Sequence, residues 1–208
     1  MSEGGALLPT LDRLFAGPRG SILTIEAFLE GLESRSYAFA IAALSLPNCI
    51  PTGIPWLSTI TGVPMFLLVV QYFLGRPVPS LPYFIARRGL PRGKLQDFLG
   101  RVRRHIERLE NAVHPRREWW VTGLRRRCLQ FAWALLIVVL ALPIPFDNLL
   151  PAWAILLFCL ALIEGDGVVA MLGWLFTFLS AVWTVFLLII GHAAVMMAIA
   201  MLRGIVFD

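Results

Sequence analysis

The sequence predicts an all-α integral membrane protein: two related, proline-broken, re-entrant-like helical hairpin units, a C-terminal transmembrane helix or helices, and a basic amphipathic surface helix. Three observations lead there. Hydrophobic residues make up 58% of the 208-residue chain and mean hydropathy is +0.77, more apolar than an ordinary soluble domain. Pro47, Pro51 and Pro55 interrupt one apolar run, and Pro143, Pro145 and Pro151 interrupt another. Thirteen of the 18 Lys and Arg residues fall between Arg87 and Arg127, separating the two runs.

The prolines set the two units. Each lacks a backbone donor and disfavours helical geometry in the residue before it, so neither run continues as one helix. The Leu44-Ser-Leu-Pro47 entry is repeated as Leu140-Ala-Leu-Pro143, and Pro143 and Pro151 keep the spacing of Pro47 and Pro55. Broken backbone at membrane depth is tolerated where protein buries it or where it lines a wet cavity. Paired interruptions in the two halves of a chain point to a central binding site. Tight turns between short membrane helices explain the same prolines without a site.

The chain divides into five segments. Residues 1–34 are an N-terminal cytoplasmic segment, with neither the basic start nor the apolar core of a secretory signal. Within it, Ile22, Ile25, Phe28, Leu29 and Leu32 predict an amphipathic helix over Ser21–Leu32, with Glu26, Glu30 and Glu33 on other faces. That acidic face is solvated, or packs on the basic block downstream.

Residues 35–83 form the first broken unit. Ala38–Leu46 gives about 14 Å of helix, half of the hydrocarbon core, whereas Trp56–Leu74 is long enough to cross, with Pro64 inside it. Arg35 and Arg76 bracket the unit, which enters and leaves on one face if both are cytoplasmic.

Residues 84–127 are the cytoplasmic connector. Leu95, Phe98, Leu99, Val102, Ile106, Leu109 and Val113 make one stripe, with Lys94, Arg101, Arg103, Arg104 and Arg108 mostly elsewhere. Such a helix suits a membrane surface, its arginines meeting anionic lipid headgroups at about 1 kcal/mol each. Trp119-Trp120 and Arg125-Arg126-Arg127 mark the same boundary. The basic stretch lies between membrane segments and carries no nucleic-acid reading motif, so lipid phosphate is the expected partner and nucleic acid is not.

Residues 128–167 form the second unit, with arms Leu129–Leu142 and Ala152–Ile163, each shorter than a full span, and a closing Glu164-Gly-Asp-Gly167 turn. Residues 168–208 are the C-terminal transmembrane segment, either two tight crossings or one protruding helix. Gly191, Ala193, Ala194 and Ala198 offer small residues for close helix packing and self-association into a homo-oligomer.

The candidate binding residues lie mainly in the breaks. Asp147 and Asn148 occupy the second, where a carboxylate at membrane depth is costly unless it is used; if the break surfaces, Asp147 is a loop residue. Asn48, Thr52, Ser58 and Thr59 are the polar groups of the first, able to hold a headgroup or ion or simply to satisfy freed backbone. Arg35 can clamp a phosphate or anchor topology. Glu164 and Asp166 form a candidate proton- or ion-coupling pair, or a solvated helix end. His192 is a relay candidate or a helix-to-helix hydrogen bond.

Cys49, Cys128 and Cys159 are widely spaced in apolar sequence and predict neither disulfides nor a metal site; no cofactor is expected. No Ser-His-Asp order, nucleophile elbow, phosphate loop or zinc helix supports a conventional enzyme.

Several blocks, in order, carry a resemblance. Arg35-Ser36, the Leu46-Pro47 break, Gly-Ile-Pro-Trp-Leu-Ser-Thr-Ile-Thr-Gly-Val-Pro64, Gln71-Tyr-Phe-Leu-Gly75, the Leu81-Pro82 exit and Leu-Pro-Ile-Pro-Phe-Asp-Asn-Leu-Leu-Pro151 resemble the ExoD family from Leu23 to Gly173. Where that family often has Gly before Arg-Ser, Trp before the exit and a charge inside the closing turn, this chain has Ser34, Ser80 and Gly165. The resemblance implies a multi-pass protein of the bacterial inner membrane that takes part in exopolysaccharide synthesis, with no settled reaction. Binding or translocation of an anionic lipid-linked saccharide intermediate is the expected role. The alternatives are an ion- or proton-coupled transporter and a non-catalytic adaptor of a polysaccharide-synthesis complex.

Overall fold

The computed structural model describes residues 7–50, 56–112, 120–142 and 147–207. Pro51, Thr52, Pro55, Pro143, Pro145, Val113 and Trp119 therefore lie outside the described residues, as do the side chains of Leu109, Ala193, Ala194 and Ala198.

Two helical hairpins and one long helix make the main body. The first hairpin is α3 (Ser36–Ser45), a 3-10 turn over Leu46–Cys49, and α4 (Leu57–Phe73). The second is α7 (Gly123–Ala141) and α8 (Leu149–Glu164). The final helix, α9 (Gly167–Phe207), runs 41 residues without a break, about 62 Å. One continuous helix thus replaces the alternative of two crossings, because no proline interrupts the run between Gly167 and Phe207. α3 packs on α8, α4 on α7, and α8 along α9.

Helix directions follow from paired contacts. In the first hairpin the Tyr37 and Tyr72 rings meet at one end (5.3 Å), and Asn48 Nδ2 donates to Thr61 Oγ1 (2.8 Å) at the other. Between the hairpins, Gln130 hydrogen-bonds Tyr72 at the first end, and Thr59 Oγ1 donates to the Ala141 carbonyl (3.3 Å) at the second. Between α8 and α9, Phe158 meets Trp174 edge-on at 5.5 Å and Thr184 reaches Asp147. All three pairs are antiparallel, so both breaks lie at the same end of the bundle.

α7 begins at Gly123, six residues before the expected Leu129, and its 19 residues span about 28 Å; the Arg125–Arg127 run is its first turn rather than a flank. α8 begins at Leu149, so Pro151 sits in the first turn, where a missing backbone donor leaves no hydrogen bond unmade. Pro64 is accommodated inside α4. Gly165, at φ +71°, takes the left-handed conformation that ends α8.

The core lies where the hairpins meet. Ile41, Met65, Leu129, Trp133, Ile137, Leu140, Ile155 and Phe158 are almost wholly buried, each stabilising by about 1.5–3 kcal/mol. Gly62 allows the close crossing of α4 and α7: a Cβ there would stand 2.8 Å from Ala141 Cβ and 2.9 Å from its Cα.

A second, smaller unit corrects two expectations. Residues 22–24 form a strand, β1 (Ile22–Thr24), not the first turn of a helix, and pair antiparallel with β2 (Gly89–Pro91), which follows the single turn α5 (Tyr83–Ala86). The helix starts only at α2 (Ile25–Gly31), capped by Thr24 Oγ1 accepting from the Ala27 amide at 3.3 Å. Nor is the apolar stripe of α6 (Arg92–Ala112) left for a membrane surface. An unanticipated helix, α1 (Leu7–Phe15), covers it, so that Leu8, Leu11 and Phe15 pack with Leu99, Leu95, Val102 and Ile106; Phe98 stays exposed. Arg92 donates to the Leu14 and Ala16 carbonyls, and Arg103 pairs with Asp12 at 3.2 Å. The N-terminal segment meets the basic block through α1, not through the expected acidic face, whose Glu26, Glu30 and Glu33 enter no ion pair among the described residues. Its ion pairs are exposed and add little, so shared apolar burial holds the unit together.

Candidate functional site

The polar residues of the main body separate into two groups, one at each end. The end with the breaks holds Asn48, Ser58, Thr59, Asp147 and Asn148, which the antiparallel pairing brings together. The opposite end holds Arg35 at the entry to α3, Glu164 at the close of α8, and Asp166 before α9. Arg35 and Asp147 therefore do not share a cavity; the hairpin arms separate them.

At the break end, Asp147 is 2% exposed and both its carboxylate oxygens accept from Thr184 Oγ1, at 3.0 and 2.8 Å. No cation pairs with it among the described residues. A carboxylate removed from water with one hydroxyl for company is poorly compensated, so this position carries a cost that a merely structural loop residue avoids. Asn48, 4% exposed, is satisfied by Thr61 and by the Leu44 carbonyl at 3.4 Å, which ties the first break to α4. Thr59 joins that break to the end of α7. Ser58 is buried beside them, and Asn148 precedes the first turn of α8.

At the opposite end, Asp166 Oδ1 accepts from the amides of Val168 (2.7 Å) and Val169 (3.4 Å), the work of a helix cap. Glu164 is half-buried at the end of α8. His192 is exposed on α9.

This end also carries openings that the sequence reading did not single out. Tyr72, Arg76, Arg127 and Gln130 line a recess of about 490 Å³; Arg126, Arg127 and Gln130 line a neighbouring one of about 480 Å³. Between α7 and α9 runs an apolar groove of about 630 Å³, from Arg127 to Val139 on one wall and from Trp174 to Thr184 on the other. A signal existed for both. Gln130 follows Arg127 by three residues, on one helix face, and Thr177, Ser180 and Thr184 recur at helical spacing in an otherwise apolar run. Among the described residues no group of three or more His, Cys, Asp or Glu side chains is placed to hold a metal.

Outside the core, large apolar side chains face outward. Ile60, Leu67 and Phe73 of α4, Phe131 and Leu135 of α7, and Leu175, Phe178, Val182 and Ile189 of α9 are each more than half exposed. Among the described residues one helix, over Gly167–His192, is long and apolar enough to cross a membrane; α4 and α8 are shorter apolar helices.

These features define a class: a helical-hairpin protein with an apolar periphery, a cationic end and a buried carboxylate at the end where its hairpins break. The chain belongs to the ExoD family, whose model, described as "Exopolysaccharide synthesis, ExoD", matches residues 7–186. It is 31% identical over 194 residues to Protein ExoD of Rhizobium meliloti (strain 1021), covering 91% of this chain and 79% of that protein. It is 27% identical over 172 residues to an uncharacterised protein of Synechocystis, covering 82% of this chain and 81% of that one. No solved structure matches it.

Proposed function

We propose that this protein takes part in bacterial exopolysaccharide synthesis as a multi-pass protein of the inner membrane, handling an anionic lipid-linked intermediate. The outward-facing apolar side chains of α4, α7 and α9 carry the membrane reading. Large exposed apolar patches mark membrane or protein interfaces. The arginines at one end suit the cytoplasmic face, which keeps Lys and Arg. In this reading both hairpins enter and leave on that face, their breaks shelter polar groups at depth, and the small N-terminal unit with α6 stays in the cytoplasm.

The handling role draws on the two polar ends and on family membership. Arg35, Arg76 and Arg127 would attract a phosphate, and Asp147, Asn148, Asn48, Ser58 and Thr59 would line the far end of the path. One experiment tests both parts: a deletion strain complemented with Arg127→Gln or Asp147→Ala, scored for polymer output and for protein resistant to carbonate extraction. The expected result is normal membrane protein with polymer reduced several-fold. Wild-type polymer from both variants would end the handling role, and extraction of the wild-type protein by carbonate would end the membrane one.

A second reading, ion- or proton-coupled transport, is favoured by the buried Asp147 carboxylate with no cation beside it among the described residues. It predicts a pH-dependent current in proteoliposomes, without added lipid substrate, that Asp147→Asn abolishes.

A further inference from the structure

We propose that the groove between α7 and α9 binds a single-chain lipid phosphate, its head in the two recesses around Arg127 and its hydrocarbon chain along the groove toward Thr184. This inference rests on the membrane reading above and names where the anionic amphiphile sits, at the cationic end rather than in the breaks.

Charge and shape decide the occupant. Arg76, Arg126 and Arg127 line the paired recesses, and their guanidinium groups make no ion pair among the described residues. Arg127 and Gln130 are common to both recesses, so the two openings adjoin around Arg127 and together present three cations. Gln130 donates its amide to the Tyr72 oxygen, which leaves the Tyr72 hydroxyl proton to donate to a phosphate oxygen. Three guanidinium groups exceed what a singly charged phosphodiester calls for; a phosphate monoester, close to doubly charged, matches them better, and planar forks grip its oxygens in pairs.

The groove supplies the rest of the ligand. Arg127 also forms its mouth, so head and chain sites are continuous. From Arg127 to Val139 the wall runs 12 residues, about 18 Å, through Phe131, Leu135 and Leu136. That is a channel one helix pair wide. One chain laid along its axis leaves the second chain of a diacyl lipid outside.

Purified full-length protein in detergent, titrated with hexadecyl phosphate and followed by native mass spectrometry, tests this directly. Hexadecanol tests the head, and dipalmitoylphosphatidylglycerol tests whether any anionic membrane lipid suffices. Hexadecyl phosphate is expected to bind at least tenfold more tightly than either. Arg127→Gln is expected to weaken it at least tenfold, and Ala181→Trp, which fills the groove from an exposed position on α9, to block it, while Arg19→Gln on the small N-terminal unit changes nothing. Equal binding of hexadecanol or of phosphatidylglycerol would overturn the proposal. So would hexadecyl phosphate binding that survives both Arg127→Gln and Ala181→Trp, which would move the lipid site elsewhere and leave the broader reading standing. No binding of hexadecyl phosphate to the wild type would likewise overturn the groove proposal, whereas the broader reading stands or falls on polymer output and carbonate extraction.

Discussion

Thr184 Oγ1 lies 2.8 and 3.0 Å from the two carboxylate oxygens of Asp147, and through this contact the middle of α9 is fastened to the start of α8. The bond joins residues 37 apart in sequence at the end where both hairpins break. Thr184→Val keeps the side-chain shape and removes the donor. Its expected cost is about 2 kcal/mol, the penalty of leaving a buried acceptor unsatisfied. Asp147→Leu combined with Thr184→Val is expected to recover most of that loss. Thermal unfolding of the detergent-solubilised variants measures both, and a double variant no better than the single one would contradict the account.

Gly62 faces Ala141 too closely for any side chain. Gly62→Val should push α4 from α7 and cost about 1–3 kcal/mol, as overpacking does. Adding Ala141→Gly removes the Cβ collision but leaves the 2.9 Å approach to the Ala141 Cα, so only partial rescue is expected in the same melting assay.

Gly89 sits opposite Thr24 in the two-stranded ribbon, where an added Cβ would stand 2.4 Å from the Leu23 carbonyl oxygen. Gly89→Val should open β1 from β2 without disturbing the hairpins. Hydrogen exchange would show faster amides at Ile25, Arg92 and Gly93, whose backbone bonds flank the ribbon, while those of α7 and α8 stay protected. Equal deprotection of both parts would mean that the small unit is not separable from the bundle.

Phe178, on the outer face of α9, is 65% exposed. Phe178→Arg disturbs no core contact, yet in a bilayer it places a cation against hydrocarbon at a cost of about 2.5–3.5 kcal/mol on insertion scales. The membrane reading expects a several-fold fall in membrane-inserted protein, measured by fractionation after pulse labelling. Unchanged insertion would show that this face does not meet lipid.

Much of the bundle was legible along the chain. The Pro47 break, the α4 boundaries within one residue at each end, and the amphipathic α6 follow from proline chemistry and helical periodicity, which act between near neighbours. The ribbon was not, because Ile22–Thr24 has helical spacing with the residues after it and becomes a strand only when Gly89–Pro91 supplies its partner. Nor was the fate of the α6 stripe: periodicity announces an apolar face without naming what covers it, and here α1 does.

The candidate residues divide in the same way. Residue type alone marked Asp147 as costly, and the fold supplied Thr184 to hold it. Arg35 and Asp147 both border apolar runs in the sequence, but antiparallel packing sends them to opposite ends.

The sequence by itself determined an apolar helical chain, broken at two proline clusters and basic between them, since composition, periodicity and proline stereochemistry are properties of neighbouring residues. Tertiary structure alone decided that the breaks share one end, that three arginines and an apolar groove meet at the other, and that α1 covers α6. Those outcomes depend on which distant faces bury each other, and burial is settled only when the helices pack.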